Sequence, residues 1–172
     1  MLQDLFHQAS IDASQLDLIA WNAGPGSFTG LRIAASAVQA LAYAHQLPIV
    51  NLSSLALLAF AADLQEGERA LCVLDARMSS VYVAGYERNA GVLSERIDEQ
   101  LLSLEAAKAL IAEGGYDRLL GADAQLLDVA GEAVTVLPDT LLAMAQTLDQ
   151  SLWCEAADCA PRYLRDATQW QK

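Results

Sequence analysis

Positive charge is what this chain has least of. Against 22 acidic residues it carries only 10 lysines and arginines, a formal net charge of −12. So acidic a surface repels phosphate backbones and argues against tight, direct nucleic-acid binding; a basic protein surface is the better match. Histidine is almost absent, with His7 and His45 on separate segments. A helix holding a metal through two histidines at i and i+4 is therefore not expected. Two isolated imidazoles also supply few general bases for a serine nucleophile, and Ser27, Ser79 and Ser80 have no G-x-S-x-G setting. The cysteines, Cys72, Cys154 and Cys159, are odd in number and lack CxxC spacing, which argues against a disulfide framework and a zinc site. Cys72 lies in the apolar run 70–74, where a thiol behaves as a small hydrophobe. No apolar run reaches about 18 residues without a polar break, so no membrane span is expected. Residues 1–7 have neither the basic lead nor the apolar core of a signal peptide. The expectation is a cytoplasmic protein without a metal, and no cofactor is assigned to this chain.

What is present is alanine and leucine, which supply most of the 54% hydrophobic content and favour closely packed helices. Leu2, Leu5, Phe6 and Ala9 share one helical face. Residues 17–22 read as a buried strand, 29–45 as a helix stopped before Pro48, and 49–52 as a second strand. Ser53 or Ser54 caps a helix to about Leu64. This β-α-β-α rhythm predicts a parallel sheet. The pattern then changes to an antiparallel meander, with strands at 70–75, 81–86 and 92–97. A helix over 103–113 ends at Gly114-Gly115. A short strand at 118–121, a helix at 124–130 and a strand at 134–137 follow, and Asp139 caps a last helix to about Trp153.

The loop Gly24-Pro25-Gly26-Ser27-Phe28-Thr29-Gly30-Leu31-Arg32 leaves a strand and opens a helix. Glycines there let the backbone approach another group, and free amides at a helix start favour an anion. Gly24, Gly26, Ser27, Thr29 and Gly30 are thus a candidate anion or nucleotide loop, with a purely structural turn as the alternative. It is not a Walker A loop, because Leu31-Arg32 stand where Lys and Ser or Thr belong. Behind it, Ala34, Ala35, Ser36, Ala37, Ala40, Ala42 and Ala44 leave nearly every helical face small. Such a helix accepts its own sheet on one side and a partner helix on the other, or is buried by its own chain throughout. Asp75 and Arg77 read as an ion pair fixing a turn between strands.

Three stretches now resemble one family. Asn22 through Arg32, NAGPGSFTGLR, is similar to the signature of the bacterial TsaB (YeaZ) proteins. Asp75-Ala76-Arg77-Met78 with Val81-Tyr82 resembles their second motif, and Pro161-Arg162-Tyr163-Leu164-Arg165 their C-terminal one. The resemblance implies an α/β, ASKHA (actin-like, RNase H-like) fold of two lobes: 1–72, incomplete; 73–138; and a helix and tail, 139–172, packing back toward the first. The family opens with a phosphate-loop strand and a hairpin before its first helix, and residues 1–6 resemble the end of that helix, so those opening strands are expected to be missing. The resemblance further implies a non-catalytic scaffold for the catalytic subunit TsaD and, with it, the ATPase TsaE. Together these place a threonylcarbamoyl group on the adenosine beside the anticodon of ANN-decoding tRNAs. ATP is used by that assembly, tRNA is met only indirectly, and self-association to a homodimer is implied. Phe28, Leu31, Arg32, Ala35, Gln39 and Tyr43 are the candidate interface, against a TsaD helix or a second copy. The alternative is a nucleotide-binding phosphotransferase or hydrolase of the same superfamily, or a homologue of the glycoprotease peptidases; the former needs an early phosphate-loop Asp that this sequence does not contain.

Overall fold

A computed structural model describes residues 2–164; of the C-terminal motif, Arg165 lies outside the described residues, as does the rest of the expected tail. The chain opens with α1 (Leu2–Ala9) and a 3₁₀ turn at Ala13–Gln15. Asp12 caps that turn by accepting the Ser14 amide at 2.9 Å. The expected β-α-β-α unit follows as β1 (Ile19–Gly24), α2 (Phe28–His45), β2 (Ile49–Ser53) and α3 (Ser54–Ala61). β1 and β2 pair in parallel, with Ile19 opposite Ile49. Alternation along both strands sorts their side chains onto two faces. Trp21, Ala23 and Ile49 pack with Ala35 and Ala42 of α2, whereas Val50 and Leu52, with Ala20, point the other way. Ser53 is the cap of α3: its hydroxyl accepts the amides of Leu55 and Ala56 at 3.1 and 3.3 Å. α3 stops at Ala61 rather than Leu64.

The meander is longer than its apolar cores predicted. It comprises β3 (Arg69–Arg77), β4 (Ser80–Asn89) and β5 (Val92–Ser103). After α4 (Leu104–Glu113), β6 (Arg118–Leu120) pairs in parallel with β3, giving the order β5-β4-β3-β6. Here too alternation divides the strands. Ala70, Cys72, Tyr82, Ala84 and Tyr86 face α3, while Leu71, Val73, Val81 and Val83 face α4 and the segment after β6. α3 is apolar on all sides because it serves both sheets. Leu55, Leu58 and Ala59 join the second sheet's core, and Leu57 joins the first sheet's.

Three local expectations fail. Residues 124–130 are not an α-helix; a 3₁₀ helix, Ala122–Leu127, ends at Asp128 in a left-handed conformation. Gly121, at φ +109°, permits its close approach to β3, since a Cβ there would lie 2.1 Å from the Val73 carbonyl oxygen. Residues 134–137 form no strand: Val134 and Val136 are half-buried against the core, but pairing stops at the single bridge Leu120–Glu132. The last helix, α5 (Pro138–Thr147), begins at Pro138, so Asp139 lies inside its first turn instead of capping it. The segment toward Trp153 is a separate 3₁₀ turn, Gln150–Leu152, capped by Asp149 through the Ser151 amide at 2.8 Å.

Candidate functional site

The three motifs, far apart in sequence, meet at one cleft between the sheets. β1 ends because Asn22 turns on itself: its Oδ1 accepts the Gly24 amide at 3.0 Å and the Ser54 hydroxyl at 2.7 Å. Gly24 has φ +104°, and a Cβ on it would sit 2.8 Å from Leu31 Cδ1 and 3.1 Å from the Arg162 carbonyl oxygen, so only glycine fits. Ser27 caps α2, its Oγ accepting the Gly30 amide at 3.3 Å. The chain therefore delivers Phe28 and, one turn later, Arg32 to the cleft rim at the start of α2. The Arg32 guanidinium carbon lies 4.0 Å from the Phe28 ring centroid. Arg32 Nε also donates to the Tyr163 hydroxyl at 3.2 Å, and the Tyr163 ring leans on Phe28 with centroids 5.6 Å apart. These cation–π and aromatic contacts hold three exposed side chains in one cluster.

The second motif supplies the facing wall. Asp75 accepts the Arg77 amide at 2.7 Å and pairs with Arg77 Nη1 at 3.0 Å, the ion pair expected at this turn. Its own amide donates to Asp123 Oδ2 at 2.9 Å. Gly26, Ser27, Phe28, the Asp75–Met78 turn, Tyr82 and Tyr163 enclose a cleft of about 310 Å³. A larger hollow of about 790 Å³ lies at the other end of α2, against Trp153 and Glu155. It touches none of the three motifs, and the smaller cleft is the better candidate for that reason.

Beside the cleft is a charge network, buried at Glu99 and half-exposed at Arg162, whose acidic member the sequence did not single out. Glu99 on β5, its side chain 5% exposed, pairs with Arg162 Nη1 at 2.8 Å and accepts the Tyr86 hydroxyl at 3.1 Å. Burial and the nearby Glu99 carboxylate push the Tyr86 hydroxyl well above its ordinary value. The only local cue to Glu99 was its place in the charged stretch Glu95-Arg96-Ile97-Asp98-Glu99, where nothing sets it apart.

Of the six candidate interface residues, Phe28, Arg32 and Tyr43 are exposed, Leu31 and Gln39 are half-buried, and Ala35 is buried against the chain's own first sheet. Gln39 spends its Nε2 on the Cys159 carbonyl at 2.7 Å. In the candidate anion loop Gly24 is buried, while Gly26, Ser27, Thr29 and Gly30 are exposed at the α2 start. His7 and His45 are both exposed, and among the described residues no cluster of three His, Cys, Asp or Glu is placed to hold a metal ion. Burial pushes the Cys72 thiol up to about 12 and Cys159 to about 11, so neither is a ready thiolate near neutral pH. Among the described residues no helix is long and apolar enough to cross a membrane.

A family model described as TsaD, tRNA N6-adenosine threonylcarbamoyltransferase, matches residues 1–168. The chain is 30% identical to the tRNA threonylcarbamoyladenosine biosynthesis protein TsaB of Haemophilus influenzae, over all of this chain and 80% of that one. It is 28% identical to its Escherichia coli counterpart over the same shares. It superposes on YeaZ from Pseudomonas aeruginosa with a TM-score of 0.77 and 32% identity, covering 95% of this chain and 82% of the other. The mixed α/β, ASKHA-like class expected from the motifs is therefore the one observed. With three motifs meeting at one cleft, full-length similarity to TsaB and superposition on YeaZ, the chain belongs to the TsaB (YeaZ) family within the group that the TsaD model describes.

Proposed function

We propose that this chain is a scaffold subunit in the threonylcarbamoylation of the adenosine beside the anticodon of ANN-decoding tRNAs, without catalysis of its own. In this reading it binds a TsaD-type partner through the outer face of α2, meets a TsaE-type ATPase through that partner, and self-associates by the same face when the partner is absent. The curated relatives are named for this biosynthesis, and the family model is named for the transferase. The net charge of −12 suits an indirect encounter with tRNA.

The observation that carries the proposal is the surface of α2. Ala35 and Ala42 face inward, yet Ile33 and Tyr43 are 67% and 82% exposed. Ser36 and Ala40 lie on the same outward face, all four within a narrow arc at helical spacing, and both are exposed. Small residues between two large anchors let another helix approach to about 8–10 Å, while the anchors fill its grooves. At the N-terminal end of the helix, Phe28 and Arg32 extend this surface onto the cleft rim.

Light scattering after gel filtration, with the chain alone and then mixed with a TsaD-type protein, tests the reading. The expected result is a discrete mixed complex. Ser36→Trp should weaken it about tenfold or more by overpacking the helix contact, with the thermal midpoint unchanged. A Ser36→Trp chain that associates normally would remove α2 from the interface. Failure of the unmodified chain to form any complex would remove the scaffold role itself.

A further inference from the structure

Residues 159–164 connect two sheets whose cores also meet at α3, Val136 and Met144. On the side of the first sheet, the Cys159 carbonyl accepts Gln39 Nε2 at 2.7 Å, and the Arg162 amide donates to the Ala23 carbonyl at 2.7 Å. The missing side chain of Gly24 makes room for the Arg162 carbonyl. On the side of the second sheet, Arg162 Nη1 reaches Glu99 Oε2 at 2.8 Å. One residue thus bonds to β1 through its backbone and to β5 through its side chain. The next residue, Tyr163, is a wall of the cleft, resting on Phe28 and Arg32.

The position of Glu99 is built for this contact. In the β4–β5 ladder Val83 faces Gln100 and Gly85 faces Ile97, so Asp98 and Glu99 together oppose Ala84. That is a β-bulge, and a bulge re-aims a side chain that regular alternation would have placed elsewhere. Its carboxylate is held by two partners, the Arg162 guanidinium and the Tyr86 hydroxyl. β5 is the outermost strand of its sheet and pairs with β4 alone, so a change at its bulge leaves the β3–β4 register in place.

We propose that residues 159–164 are a strap that fixes the spacing of the two sheets, with the Arg162–Glu99 ion pair as its latch and Tyr163 as the movable wall of the cleft. Release of the latch frees the strap and the bulged part of β5, and opens the cleft, while the core of α3, β3 and β4 stays in place.

Hydrogen exchange on the full chain, read by peptide, tests this. Arg162→Ala should speed exchange about tenfold or more in residues 22–32, 97–101 and 159–164, leaving residues 70–73 of β3 unchanged. Glu99→Gln, a near-isostere that keeps a hydrogen-bonding group for Tyr86, should give the same pattern and answers the question if Arg162→Ala fails to fold. Arg162→Lys retains the cation and should preserve most of the protection. Exchange that rises evenly through both sheets would make the pair an ordinary stabilising contact and overturn the latch. Exchange that rises nowhere would overturn the strap.

Discussion

Arg77, Met78 and Ser79, at the tip of the β3–β4 hairpin, all have left-handed backbones, with φ of 63°, 53° and 55°. Hairpin turns of this hand favour asparagine and glycine, because a Cβ crowds the following carbonyl. Asp75 offsets part of that strain by holding the Arg77 amide and guanidinium. Ser79→Gly is accordingly expected to stabilise the chain by about 0.5–1 kcal/mol, seen as a higher urea midpoint with an unchanged slope. Gly24→Ala should do the opposite, costing about 2 kcal/mol, since it adds both a disallowed φ and a clash with Leu31. Buried thiols, together with the buried Tyr86 hydroxyl, lower stability at alkaline pH. Burial raises Cys72 from 9.0 to about 12 and Cys159 to about 11, so the folded chain keeps protons that the unfolded chain releases. Stability from these groups is complete below pH 9 and is lost as the pH climbs through this window. Thermal midpoints should therefore fall steadily above pH 9, and more gently in Cys72→Ala, whose baseline is lower for its lost contacts.

On α2, neighbouring positions separate fold from association. Ala35→Trp overfills the space against Trp21 and Ala23 and should destabilise the chain by about 2–3 kcal/mol in a denaturant melt. Ser36→Trp, one residue along and exposed, should move that melt by less than about 0.5 kcal/mol. The sequence could not rank these two, because alanine and serine on nearly every face erase the periodicity that distinguishes inside from outside. Where the signals were local they were readable: the parallel unit from its β-α-β rhythm, the end of α2 from Pro48, and the start of α3 from Ser53. Residues 134–137 show the limit. Their valines carry a strand's composition and alternate as a strand's do, half-buried on one side, but a strand also needs a neighbour, and that depends on distant chain. Glu99 was hidden for the same reason, since a bulge is a relation between two strands. The motif at Pro161–Arg165 was recognisable as a pattern, yet its partners, Ala23 and Glu99, became visible only once the sheets were placed.

At the scale of the whole molecule, the two sheets share α3, Val136 and Met144 as common core and are joined again by residues 159–164. The expectation is one cooperative transition, with coincident far-ultraviolet and near-ultraviolet melts. Separate transitions for the two sheets would show that the shared core of α3, Val136 and Met144 does not couple them. The strap also sets an order of events. Arg32 waits for Tyr163 across 131 positions of sequence, and Gln39 for Cys159 across 120. Contacts at such separations form late and slowly. During translation, β1, α2 and β2 emerge from the ribosome long before the residues that close over them, so the first-formed sheet is the last to be finished. Until residue 163 has left the ribosome, the first sheet of the nascent chain lacks these closing contacts.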